Sequence, residues 1–261
     1  MATMTGPRRP RVGGHVCLAY AEPAAFEDAA RDFLAEGVAA GERVWYLAPT
    51  PPRGWRFRPE LVRIGDHYPE DGVIDPAAGV SAYAAATERA LADGYCGLRV
   101  AAEATSLVGT PAQLDAFARY EHLVDRYMRG APFSALCGYD RVALGDEAVD
   151  ELACLHPLST APFRLSAGLP GQADVILSGE LDWANRDLFV RALARAEPRP
   201  ASAELVIDAG RLTFVDHNCL VDLDQYAHSH GMTAVLRTRT PVPARLVALM
   251  GLTALRVESA L

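Results

Sequence analysis

Two groups of residues have types and spacings suited to chemistry. Tyr20, Glu103, Thr105, Tyr139 and Asp140 each stand where a strand-like apolar run ends. In an open parallel sheet, ligands sit beyond the carboxyl ends of the strands. Aromatic rings there would line a pocket, and the carboxylates and hydroxyl would orient its occupant. The plainer account of these residues is strand-end capping and solvation. The second group is Asp216, His217, Asn218 and Cys219. They follow a β-type run, Leu205-Val206-Ile207, closed by Asp208, a turn at Ala209-Gly210, and Leu212 to Val215. Asp216 has the place and type of a helix N-cap, with Leu220, Leu223 and Ala227 at helical spacing behind it. A helix N-terminus in that position turns free N–H groups outward.

Several chemistries are disfavoured. All 25 basic residues are arginine, so no Schiff base, catalytic ammonium or phosphate-loop lysine is available. Glu103 and Asp140 resemble the acids of an ATPase. The loop after the first strand, Ala21 to Ala25, has no glycine to cradle a phosphate, however, so ATP hydrolysis is not expected. No Gly-x-Ser-x-Gly elbow supports a hydrolase. His15, Cys137 and His156 have no local ligand spacing and would meet only if the fold gathered them, so hydrogen-bonded core or edge positions are expected for them. Cys17, Cys96, Cys137, Cys154 and Cys219 form no CxxC pair and are expected to be reduced thiols, mostly buried. No catalytic residue, metal or cofactor is therefore anticipated.

Positioning these residues requires alternating strands and helices. Strands are expected at 15–20, 43–47, 61–64, 98–102 and 133–137. Helices are expected after Glu22-Pro23, ending at Gly41, after Asp75-Pro76, ending near Gly94, after a Thr110 to Gln113 capping box, and around 146–155. That alternation argues for a mostly parallel sheet covered on both faces. His156 to Pro162 reads as a linker. Beyond it come a hairpin of 163–167 and 175–179 turning at 168–171, a helix over Asn185 to Ala196, and the central strand and helix. A strand at 234–237, a helix from Pro241 or Pro243 and an edge strand at 255–257 complete the chain.

At 261 residues and half hydrophobic composition, the chain is long enough for two ordinary domains. The formal net charge of −8 is uneven: residues 1–162 carry 15 Arg against 22 acids, residues 163–261 carry 10 against 11. An acidic chain without a basic stripe is a poor nucleic-acid binder, and a near-neutral second half suits protein docking. No apolar run reaches transmembrane length, and the first 14 residues lack a secretory h-region, so a short flexible tail on a cytoplasmic protein is expected.

Two resemblances follow. Leu177-Ser178-Gly179-Glu180-Leu181-Asp182 and Phe214-Val215-Asp216-His217-Asn218-Cys219-Leu220 resemble, in order, two blocks of the STAS domain of bacterial anti-sigma-factor antagonists. The second block in that family reads Phe-Ile-Asp-Ser-Ser-Gly-Leu, and a partner kinase phosphorylates its second Ser. Asn218 stands there in this chain, with His217 and Cys219 in place of the first Ser and the Gly. The resemblance covers about 163–261 and implies a mixed sheet with helices on one side, docking on an anti-sigma factor or a related kinase-fold regulator. Upstream, His15 to Tyr20, Leu136 to Asp140 and His156-Pro157 resemble the MEDS sensory domain, a RecA/KaiC-like fold here without a phosphate loop, over about 12–160. Together they imply a bacterial signal-transduction regulator of transcription. The strand-end group would bind a small molecule, and Asp216 to Cys219 would face the partner. The alternatives are a small-molecule enzyme using the strand-end pocket, or a ligand-free scaffold.

Overall fold

A computed structural model describes residues 14–66, 68, 72–200 and 202–260. Residues 1–13 of the expected tail, and with them the first two residues of the proposed first domain, lie outside these.

The first half alternates strictly. Its strands are β1 (His15–Tyr20), β2 (Arg43–Leu47), β3 (Glu60–Leu61), β4 (Leu98–Glu103) and β5 (Phe133–Asp140). Its helices are α1 (Pro23–Ala40), α2 (Pro76–Ala92), α3 (Pro111–Met128), α4 (Arg141–Leu144) and α5 (Asp146–Ala153). The strands pair in parallel in the order β1-β5-β4-β2-β3. Because side chains alternate along a strand, Val44, Tyr46, Ala101 and Leu136 meet Phe26, Ala30 and Leu34 of α1 on one face. Trp45, Leu47, Val100, Ala102, Ala135 and Cys137 face the larger core with α2 and α3 on the other. Gly138 lets α1 come close: a Cβ there would lie 2.4 Å from the Phe26 ring.

Local chemistry sets the helix ends. Asp75 accepts from the N–H groups of Ala77 and Ala78 at 2.9 and 3.1 Å. Thr110 and Gln113 close a capping box, and Gly41 ends α1 at φ 83°. The third strand is shorter than expected. Only Glu60 and Leu61 pair with β2, and Ile64–Asp66 turns into a 3-10 helix.

The second half holds β6 (Phe163–Ala167), β7 (Val175–Leu181), α6 (Arg186–Ala196), β8 (Glu204–Val215), α7 (His217–Ser229), β9 (Thr233–Thr238), α8 (Val242–Met250) and β10 (Leu255–Ser259). Their order is β10-β9-β8-β7-β6, with only β6 and β7 antiparallel. The expected turn at Ala209-Gly210 is corrected: β8 runs through it. Between Asp208 and Arg211 it takes three steps while β7 takes two, from Ile176 to Ser178, which is a β-bulge. Pairing with β7 before and after the bulge carries the strand through the glycine.

The two sheets share one continuous core, running from Cys17 and Trp45 through Leu155 and Phe163 to Leu236 and Leu255. The start of the expected linker belongs to the first sheet. His156 is fully buried, and the Leu158 carbonyl accepts from the Cys17 N–H at 2.9 Å. Across the junction, Leu165 N–H donates to the Cys154 carbonyl at 2.6 Å, and Arg191 and Arg195 of α6 pair with Glu151. No helix among the described residues is long and apolar enough to cross a membrane.

Candidate functional site

The carboxyl end of the first sheet brings four of the five expected strand-end residues together. The Tyr20 hydroxyl donates to Glu103 Oε1 at 2.8 Å. The same oxygen accepts the Thr105 N–H at 3.1 Å and its hydroxyl. Thr105 Oγ1 accepts the Asp140 N–H at 2.9 Å, and the Asp140 carboxylate caps α4 through Val142 N–H at 2.8 Å. Burial, joined by the Glu103 carboxylate, raises the Tyr20 phenol pKa, so it stays a donor.

Tyr139 does not join them. Strand alternation turns it to the opposite face of β5, where it is fully buried and donates to Glu121 Oε1. The five expected residues thus divide between two environments.

The environment around Tyr139 is a polar cluster sealed inside the apolar core. Glu121 and Asp125 of α3, His15 of β1, Cys137 of β5 and His156 are all buried. The two His15 nitrogens face two carboxylates, Nε2 at 3.0 Å from Glu121 Oε2 and Nδ1 at 3.3 Å from Asp125 Oδ1. Burial opposes charge on this ring, but those two hydrogen bonds outweigh it and raise its pKa to about 9. Burial also pushes the Glu121 carboxyl up, and the facing His156 and His15 rings pull it below its ordinary value. His156 is the reverse case: burial, helped by the nearby His15 charge, lowers its pKa to about 4.

His15, Cys137 and His156 have no local ligand spacing, and it is the fold that brings them together. The fold gathers them around Glu121, with one ligand atom from each of the four lying within 4.8 Å of every other. Sequence reasoning missed Glu121 and Asp125. The signal was their position on α3: Leu114, Phe117, Glu121, Val124 and Asp125 recur at helical spacing, so both acids sit in the apolar stripe. The cluster also touches the second sheet directly, because Asp125 Oδ2 accepts the Ala167 N–H of β6 at 2.8 Å.

At the other expected site, Asp216 caps α7 as anticipated, accepting from Asn218 N–H at 2.8 Å and from Asn218 Nδ2 at 2.9 Å. Burial would raise this carboxyl, but the two Asn218 donors hold it below its ordinary value. His217 is exposed and Asn218 half-buried, whereas Cys219 turns fully into the core. Next to this helix start, the carboxyl ends of β7 and β8 expose two aromatic side chains, Trp183 at 82% and Phe214 at 52%. Apolar side chains exposed singly are ordinary; these two stand at the mouth of one sheet, on adjacent strand ends. Arg186 and Asp222 clamp α6 to α7 beside it, with a bidentate pair at 2.6 and 2.8 Å.

Comparison with protein families agrees with this division. A family described as MEDS, MEthanogen/methylotroph, DcmR Sensory domain, matches residues 14–157. A second, described as Mlab, STAS domain, matches residues 167–257. No curated protein matches the chain. A sensory domain joined to a STAS domain indicates a signalling or regulatory role.

Proposed function

The chain belongs to the MEDS family and carries a STAS domain behind the sensory one, and from that premise we propose that it is a signalling regulator whose STAS half docks on an anti-sigma factor or a related kinase-fold protein. The observation that carries this reading is the surface at the start of α7, where exposed Trp183, Phe214 and His217 surround a capped helix N-terminus. An aromatic anchor flanked by polar groups is the pattern of an interface hot spot. Asn218 has no hydroxyl to phosphorylate, so the switch found in the wider STAS family has no acceptor at this position. Control then passes to the sensory half, which shares a core with the docking half. A small molecule recognised by that half would meet Tyr20, Glu103 and Asp140. No catalytic role is proposed: the Tyr20 to Asp140 network is closed on itself by hydrogen bonds, which suits recognition better than turnover.

The test is affinity capture from extracts of the native cell with wild-type protein, Trp183→Ala and Asn218→Asp. The wild type should retain an anti-sigma factor or kinase-fold protein. Trp183→Ala should lose it, and Asn218→Asp should weaken it about tenfold by replacing a neutral donor with a second carboxylate beside Asp216, roughly 1.4 kcal/mol. Equal capture by all three proteins refutes the docking surface. Phosphate release from ATP above that of a Glu103→Ala, Asp140→Ala double variant, or turnover of a metabolite panel, would favour the enzyme alternative.

A further inference from the structure

The buried cluster has more polar atoms than its internal hydrogen bonds use. His156 Nδ1 lies 2.9 Å from the Leu152 carbonyl. A carbonyl only accepts, so Nδ1 carries the proton and the neutral ring has its lone pair on Nε2. That Nε2 is completely buried and has no hydrogen-bond partner. It points at Glu121 Oε2, 3.6 Å away. An uncompensated lone pair in an apolar interior is costly, and this one faces a carboxylate, a thiol and a second imidazole.

We propose that His15 Nε2, His156 Nε2, Cys137 Sγ and Glu121 Oε2 bind one divalent transition-metal ion of the zinc class. The donor set fits. Two imidazoles, a thiolate and a carboxylate are ligands that zinc takes tetrahedrally. In such a site neighbouring ligand atoms stand about 3.3 to 3.7 Å apart, from bond lengths of roughly 2.0 to 2.3 Å. The distances from Glu121 Oε2 to His15 and His156 are 3.0 and 3.6 Å, and Cys137 Sγ lies 3.9 Å from His15 Nε2 and 4.0 Å from Glu121 Oε2. Shifts of a few tenths of an ångström on most edges would complete the tetrahedron.

The outer shell is already in place. Each histidine directs Nδ1 away from the cluster, to the Asp125 carboxylate for His15 and the Leu152 carbonyl for His156. That leaves Nε2 of both rings facing inward, the arrangement by which second-shell acceptors orient metal-bound imidazoles. Tyr139 likewise occupies the other oxygen of Glu121. Charge also balances. The ion displaces the Nε2 proton of His15 and the Sγ proton of Cys137, releasing two protons, while Glu121 and neutral His156 release none. A dication with one thiolate and one carboxylate is neutral, the state a buried site tolerates best. Beside it lies a cavity of about 20 Å³, lined by His15, Glu121, Cys137 and the rings of Tyr68, Tyr83 and Tyr120, room for one water-sized molecule. This site is separate from the strand-end group and stands independently of what the STAS half binds.

Cobalt is the probe, because its absorption reports geometry and thiolate ligation. Full-length protein is stripped with a chelator and titrated with Co2+, then with Zn2+. One Co2+ per chain should give intense tetrahedral visible bands with a near-ultraviolet thiolate charge-transfer band, release about two protons per ion in weak buffer, and be displaced by Zn2+. Cys137→Ser should lose the charge-transfer band, His156→Ala should weaken binding at least about tenfold, and exposed Cys96→Ser should change neither. Failure of the wild-type protein to retain Co2+ or Zn2+ through gel filtration overturns the proposal whether or not the variants fold. Retention of the charge-transfer band in Cys137→Ser overturns it too, since the ion would then lie elsewhere.

Discussion

Side chains that satisfy one another in the interior set the cost of change at single positions. Tyr139 is fully buried and its hydroxyl serves one oxygen of Glu121. Tyr139→Phe keeps the ring and removes only that donor, leaving a buried carboxylate oxygen bare. The expected loss is about 1 to 3 kcal/mol, read as a lower urea midpoint; an unchanged midpoint would show the carboxylate re-paired. Asp216 is a milder case. Its cap on α7 lies at a half-exposed helix start, so Asp216→Ala should cost about 1 kcal/mol. Asn218→Ala should cost less, because the backbone N–H of residue 218 still reaches the Asp216 carboxylate. Equal losses from the two variants would show that the side-chain bond, and not the backbone cap, holds the turn.

Elements whose ends depend on neighbours in sequence are legible in the sequence alone. Asp75, the Thr110 to Gln113 box and Gly41 work within four residues of chain, and each ends its helix as the spacing implies. The strand-end group is legible in part: the residues are right for β1, β4 and β5, but alternation on β5 sends Tyr139 to the other face. What sequence could not supply is long-range. A pair such as Ala209-Gly210 resembles a turn until β7 is seen to pair with both its flanks, and β9 with the one before it. The metal-type cluster joins residues 15, 121, 137 and 156, and only strand order brings them together. Gly179, by contrast, lies in the quoted motif, and the fold gives its reason. It adopts φ 94°, and a Cβ would stand 2.3 Å from the Pro162 carbonyl oxygen. Gly179→Ala therefore combines a left-handed backbone with a backbone collision and should destabilise by about 1 to 3 kcal/mol. A thermal melt that does not move would show that β6 and β7 can separate there at little cost.

The two halves are distinct families, yet they are packed around one core, and their coupling can be located. Asp125 is the junction. Its Oδ1 faces His15 in the sensory cluster, and its Oδ2 accepts from Ala167 N–H on β6 and from Arg129. Removing a buried, paired charge leaves its partners uncompensated, which costs about 3 to 5 kcal/mol. Asp125→Ala strands the His15 ring and the Ala167 amide together, so it should strike both halves at once. Arg195 and Asp115 also cross the junction, at 2.7 Å, but Asp115 is 61% exposed. Solvent screens that pair, and Asp115→Ala should cost under about 1 kcal/mol. The wild-type protein should unfold in a single calorimetric transition, because neither sheet can leave without opening the shared core. In Asp125→Ala the midpoint should fall and hydrogen exchange at Ala167 should accelerate, while Asp115→Ala leaves both near wild type. Two separate wild-type transitions, or equal effects of the two variants, would remove Asp125 as the link between the sensory cluster and β6.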